Sequence, residues 1–208
     1  MKSFIKHALC LLILGVSATV FAQEKPLDKI LTSITSHKIT TGDFNQEKYS
    51  SALKKPLKSS GTFIFSQDKI LWRTLKPMKT SMAVTPEYII QTAASGKRSV
   101  IESSSSELFG TVASAMTSIF SGDSSLVENY FNVSVSEGKE WVVTLEPKDA
   151  TISSSLKQII IEGDYAGTKA QLKTLVIKQS DTDYTKYNLK NIKYKETLSN
   201  EDQAYFIK

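Results

Sequence analysis

The sequence predicts a mainly β protein built on one large antiparallel sheet that curls. Short runs rich in Val, Ile, Thr, Phe and Tyr recur from residue 43 onward, and hairpin-length turn segments separate nearly all of them. Only two stretches show apolar residues at helical spacing. A sheet of about eleven short strands cannot stay flat, because closing or nearly closing it removes exposed edges, and a sheet of that size encloses more space than its own side chains need.

The chain begins with a segment that the working protein does not keep. Lys2, Lys6 and His7 precede an apolar stretch from Ala8 to Val16, and Val20 and Ala22 supply the small residues of a processing site, so residues 1–22 read as a secretory signal peptide. The stretch is far short of the roughly 20 residues that cross a bilayer. Residues 23–208 then form a single exported domain. Removing 1–22 takes the net charge from +5 to +3 and removes Cys10 and His7, so no sulfur nucleophile or disulfide remains and His37 is the only histidine.

Pro26 opens a segment in which Leu27, Ile30, Leu31 and Ile34 share one face, which predicts an amphipathic helix to about Lys38, with Gly42 ending its neighbourhood. Strands are expected over 43–50, 60–66, 70–75, 79–85, 88–93 and 98–102, and again over 130–136, 141–146, 158–163, 171–178 and 184–191, with 203–207 as a last edge strand. Lys54, Lys55 and Lys58 fall in a turn and read as solvated charges. Alternation places Phe63 with Phe65, and Tyr187 with Leu189, on common faces.

The interruption between the two runs of strands is the most informative stretch. Ser103 to Ser106 lead into Leu108, Phe109, Val112, Ala115, Met116, Ile119 and Phe120 at helical spacing, until Ser121-Gly122-Asp123 stops the pattern. Beyond Glu107 the segment has no charge of its own, so its stability comes from whatever its apolar face covers. Two arrangements satisfy the pattern: a lid over a cavity, or a core helix packed on a filled sheet. Residues 147–155 are a second irregular stretch at which the same opening could be capped.

The residue types present exclude most chemistry. One His without Cys does not build a zinc site, and no G-x-S-x-G elbow accompanies His37. The acidic pairs Glu201-Asp202 and Asp181 with Asp183 sit in polar, turn-like sequence, and no nucleotide-binding glycine motif occurs. No catalytic residue, metal ligand, cofactor or nucleic-acid partner is expected, and the chain reads as a binding protein rather than an enzyme.

Several motifs, in order along the chain, resemble the LolA-like periplasmic carriers of outer-membrane lipoproteins. They are the N-terminal helix, Gly42-Asp43-Phe44-Asn45-Gln46, Gly61-Thr62-Phe63, Leu71-Trp72 and Pro77, then Leu145-Glu146-Pro147-Lys148, Ile159 to Ile161, Leu189-Lys190-Asn191-Ile192, Leu198 and Phe206. The resemblance implies an unclosed antiparallel barrel of about eleven strands enclosing an apolar cavity covered by helices. It implies a monomeric carrier in the periplasm, taking lipoprotein acyl chains from an inner-membrane release complex to an outer-membrane acceptor. A relative carrying free lipid, glycolipid or polyene cargo for an exporter, or a lipid-sensing adaptor, are the alternatives. On this reading Phe63, Phe65, Trp72, Met78, Met82 and Val84 face the cavity, and Leu108, Phe109, Val112, Met116, Ile119 and Phe120 form the lid. Lipoprotein carriers of the family place an Arg-Pro pair after the Gly-x-Phe strand, and its Arg contacts the lid. Here Phe65-Ser66-Gln67-Asp68-Lys69 stands in that stretch, and Arg73, off the apolar face, is no equivalent.

Overall fold

The computed structural model describes residues 25–105 and 117–208. Helix α1 (Pro26–Ile34) is followed by β1 (Ile39–Tyr49), β2 (Leu57–Ser66), β3 (Ile70–Lys76), β4 (Thr80–Val84), β5 (Tyr88–Thr92) and β6 (Arg98–Glu102). After a short 3-10 turn at Ser103–Ser105 come α2 (Ser124–Tyr130), β7 (Phe131–Glu137), β8 (Glu140–Pro147) and α3 (Ala150–Ser153). The chain closes with β9 (Gln158–Ala166), β10 (Lys169–Lys178), β11 (Tyr184–Lys195) and α4 (Asn200–Ala204). The eleven strands form one antiparallel sheet in the order β6-β5-β4-β3-β2-β1-β11-β10-β9-β8-β7, which is not closed into a barrel.

Two meanders, β1–β6 and β7–β11, are joined by the pairing of β1 with β11, in which Phe44 lies opposite Leu189 and Gln46 opposite Tyr187. β6 and β7 adjoin in sequence but stand at opposite edges of the sheet. Ile119, Phe120 and Val127, which lie between these two strands in sequence, are buried in the concave core.

Glycines and bulges let the sheet curl. Gly42 lies inside β1 rather than ending a segment, and β1 starts at Ile39, earlier than expected. A Cβ at Gly42 would stand 2.8 Å from the Lys190 carbonyl oxygen and 2.9 Å from the Phe63 ring, its cross-strand neighbour. The same device recurs at Gly163, where a Cβ would meet Gln171 O at 1.9 Å and the Trp141 ring at 2.3 Å. Aromatic rings thus lie over glycines of the neighbouring strand. The register shift between Leu172 and Thr174 puts Leu172 and Leu175, three residues apart, on one face.

The two faces carry separate cores. On the concave side α1 buries Leu27, Ile30 and Leu31 against β10 and β7, and the Ser33 hydroxyl accepts from the Ala170 amide at 2.7 Å. On the convex side Ile39, Ile64, Leu71, Ala83 and Ile90 pack under Phe206.

Two expectations are corrected at the helix ends. α1 stops at Ile34 because Thr35 caps it, donating from Oγ1 to the Leu31 carbonyl at 2.7 Å, and leaves four residues to turn into β1. The stretch 203–207 is no edge strand: Ser199 caps α4 by accepting from the Asp202 amide at 3.1 Å, and Glu201 and Asp202 suit a helix N-terminus. α2 was not expected either. Asp123 ends one helical pattern and caps the next, accepting from the Ser125 amide at 2.9 Å. The signal segment 1–22 lies outside the described residues.

Candidate functional site

Alternation along β1, β2, β3 and β11 brings five aromatic rings to one floor on the concave face. Phe63 and Phe65, two apart on β2, have ring centroids 4.6 Å apart, and Trp72 on β3 stacks on Tyr187 of β11 at 4.4 Å. Phe44 meets the edges of both Trp72 and Tyr187, at 5.2 and 5.5 Å. Facing this floor, Phe120 stacks on Phe65 at 4.1 Å and 22°. Residues 117 and 118 are helical, and the chain then turns through Ser121 and Gly122, whose φ of +80° suits glycine.

Open clefts flank this packed centre. One of about 410 Å³ opens over β3–β5, with Phe44, Trp72, Met82 and Tyr187 as its apolar wall and Thr74, Thr80, Ser81 and Gln91 around its rim. Another of about 340 Å³ lies beside the end of α1, between His37, Phe65, Gln67, Phe120 and Ser121. Behind the Phe65–Phe120 pair only about 10 Å³ is empty, so the chain's own side chains fill the wall there. The open clefts are of a size that holds a lipid-like ligand.

Of the residues expected to face the cavity, Phe63, Phe65, Trp72 and Val84 are buried in the concave core, and Met82 is half-buried against it. Met78 does not join them. It stands 62% exposed in the turn after Pro77, beyond the last paired residue of β3, where strand alternation no longer applies. Among the expected lid residues, Ile119 and Phe120 are buried on the concave face, while Leu108, Phe109, Val112 and Met116 lie outside the described residues.

The sequence reading did not include Phe44 and Tyr187 in the site, although alternation with Gly42 and Leu189 marks both. Burial alone pushes the Tyr187 phenol up to about 12, so it stays a neutral hydroxyl with no hydrogen-bond partner among the described residues. The acidic pairs have structural occupations: Asp202 binds Arg73 at 3.2 Å, Asp181 pairs with Lys157, and Asp183 accepts from the Ser51 amide at 2.6 Å. Arg73 also donates to Thr62 Oγ1 at 3.0 Å and lies under the Tyr205 ring, on the face opposite Phe120. His37 stacks on Tyr194 at 3.9 Å.

Residues 21–185 match the family described as outer membrane lipoprotein carrier protein LolA-like. The chain belongs to this family. Its fold is similar to a DUF1329 family protein from Desulfovibrio piger, at 12% identity and a TM-score of 0.51 over 87% of this chain and 94% of that one. A LolA superfamily protein from Nitrosomonas europaea is similar at 8% identity and a TM-score of 0.46, over 84% and 94% of the two chains. No curated protein matches in sequence. In this LolA-like chain the turn Ser66–Lys69, where lipoprotein carriers have Arg-Pro, lies beside Phe120 and Ser121, with Gln67 and Asp68 lining the same cleft. No helix among the described residues is long and apolar enough to cross a membrane.

Proposed function

We propose that the chain is a periplasmic carrier that holds lipoprotein acyl chains on its concave face and moves them from the inner to the outer membrane. One observation carries this reading: Phe120 stacks on Phe65 of the aromatic floor, where an acyl chain would otherwise lie.

The energetics suit a carrier. A long acyl chain moved from water to hydrocarbon gains about 0.8 kcal/mol per methylene, roughly 12 kcal/mol in all. A cavity that captured all of it would bind at nanomolar strength and release slowly. Where cargo must displace Phe120 and its neighbours, net affinity is the difference between two burials, and transfer to a tighter acceptor needs no nucleotide at the carrier. The carrier acts as a monomer, loads from an inner-membrane release complex or exporter and delivers to an outer-membrane acceptor. It performs no turnover on lipid esters.

The turn at Ser66–Lys69 favours a second reading within the same class. Without an arginine beside Phe120 the lid lacks that contact, which suits a carrier of free lipid, glycolipid or polyene. Native mass spectrometry of protein released gently from the periplasm tests both. A bound acyl species is expected, and its mass separates lipoprotein from free lipid. Absence of any lipid, together with no binding of an acyl probe by the free protein, would refute both readings.

A further inference from the structure

Antiparallel order brings the β1–β2, β3–β4 and β5–β6 turns to one end of the sheet, since Ser60 lies opposite Lys76 and Ser81 opposite Thr92. Their sequences, 48–58, 74–81 and 91–98, contain no acidic residue. Lys54, Lys55 and Lys58 stand on the first turn, Lys76 and Lys79 on the second, and Lys97 on the third. Among the described residues none of these lysines has a carboxylate within the 4.0 Å of an ion pair, whereas Lys157, which pairs with Asp181 at the same end, and Lys29, Lys173 and Lys208 elsewhere do. The nearby carboxylates are engaged locally, Glu47 by the Tyr184 hydroxyl at 3.2 Å and Asp183 by the Ser51 amide at 2.6 Å.

The same end exposes large apolar side chains. Leu53 is 50% exposed, Leu57 47%, Leu75 48% and Met78 62%, each within three residues of a lysine. A cleft of about 740 Å³ is lined by Lys58, Lys76 and Pro77 together with Asn45, Glu47 and Asn188. At its wall the Ser59 hydroxyl is buried with no hydrogen-bond partner among the described residues. With two ammonium groups against the single Glu47 carboxylate, and carboxamides and the Ser59 hydroxyl beside them, the cleft offers an anion more donors than repulsion.

We propose that this end of the sheet docks on an anionic bilayer surface, its leucines and Met78 entering the headgroup boundary, its lysines facing lipid phosphates, and the Lys58–Lys76 cleft seating one headgroup. Charge complementarity points to a bilayer rather than an acidic protein partner. The apolar side chains stand two to a turn on two turns among lysines, which an interface core between proteins disfavours and a deformable headgroup layer accepts. The low net charge of the chain does not oppose this, because the surface field is felt only within a Debye length.

The test is flotation of unloaded protein, processed by cells expressing the full chain, with vesicles of phosphatidylethanolamine and phosphatidylglycerol or of phosphatidylcholine alone. Flotation with the anionic vesicles only, and release by high salt, is expected. Lys54→Glu, Lys55→Glu and Lys58→Glu together are expected to weaken it by about tenfold or more, whereas Arg at the same positions retains it and Lys193→Glu with Lys195→Glu on β11 leaves it unchanged. Met78→Ser with Leu57→Ser is expected to weaken it several-fold. Equal flotation with neutral vesicles, or an equal loss in the β11 variant, would overturn the proposal. Binding of an acyl probe, measured on the same variants, is expected to be unchanged. A chain that floats but binds no acyl probe would support the docking surface while counting against the carrier reading.

Discussion

Phe120→Ala separates a plug that competes with cargo from an ordinary core residue. Phe120 is 8% exposed and stacks on Phe65 at 4.1 Å. Its burial contributes about 1.5–3 kcal/mol and the ring contact about 0.5–1.5 kcal/mol, so truncation is expected to cost roughly 2–4 kcal/mol of stability. The space released adjoins a cleft of about 340 Å³, so a ligand can use it. If loading must displace Phe120, the empty protein loses that stabilisation while the loaded protein does not, and half of it already strengthens acyl binding about tenfold. Urea unfolding without ligand, and equilibrium titration with a fluorescent fatty acid, measure the two quantities on one preparation. A lower urea midpoint with tighter acyl binding is the expected pair. A lower midpoint with weaker binding would refute the reasoning, because Phe120 would then belong to the wall that cargo contacts.

Gly163→Ala is expected to lose at least about 3 kcal/mol or fail to fold, since backbone and a buried indole occupy the Cβ position, whereas Gly138→Ala, with its nearest contact at 3.8 Å, stays within about 0.5 kcal/mol; urea midpoints of the pair check this. Arg73→Met leaves buried Asp202 without its guanidinium partner and is expected to cost about 1–3 kcal/mol. Hydrogen exchange should then report loosening of α4 while α1 keeps its protection. The Tyr187 phenol, raised by burial from the ordinary 10 to about 12, is neutral in the folded chain over a range where the unfolded chain ionises. Its stabilisation is complete below pH 10 and declines as pH rises through 12. Tyr187→Phe should flatten that alkaline decline in urea midpoint, and an unchanged slope would count against the burial of this hydroxyl.

Local chemistry made much of the fold readable. Phe63 and Phe65 share a face because a strand repeats every two residues, and that period is visible in any isolated segment. Cap chemistry was equally visible at Ser199-Asn200-Glu201-Asp202 and at Asp123, but strand-like and stop-like readings of the same residues competed with it. Gly42 reads as a break in isolation. Only the approach of the Phe63 ring and the Lys190 carbonyl explains why a strand passes through it. Met78 likewise fits an apolar pattern, yet pairing ends at Lys76 and leaves it in a turn.

By itself the sequence determined the class of fold: many short amphipathic strands, with an apolar stretch that carries no charge in their midst. Tertiary structure decided which strands meet. Periodicity records that a strand has an apolar face but not which neighbour covers it, and the pairing of β1 with β11 joins segments far apart in the chain. That pairing places β6 and β7, neighbours in sequence, at opposite edges of the sheet. The same pairing order gathers lysines from separate turns at one end of the sheet, where a modest net charge becomes a concentrated one.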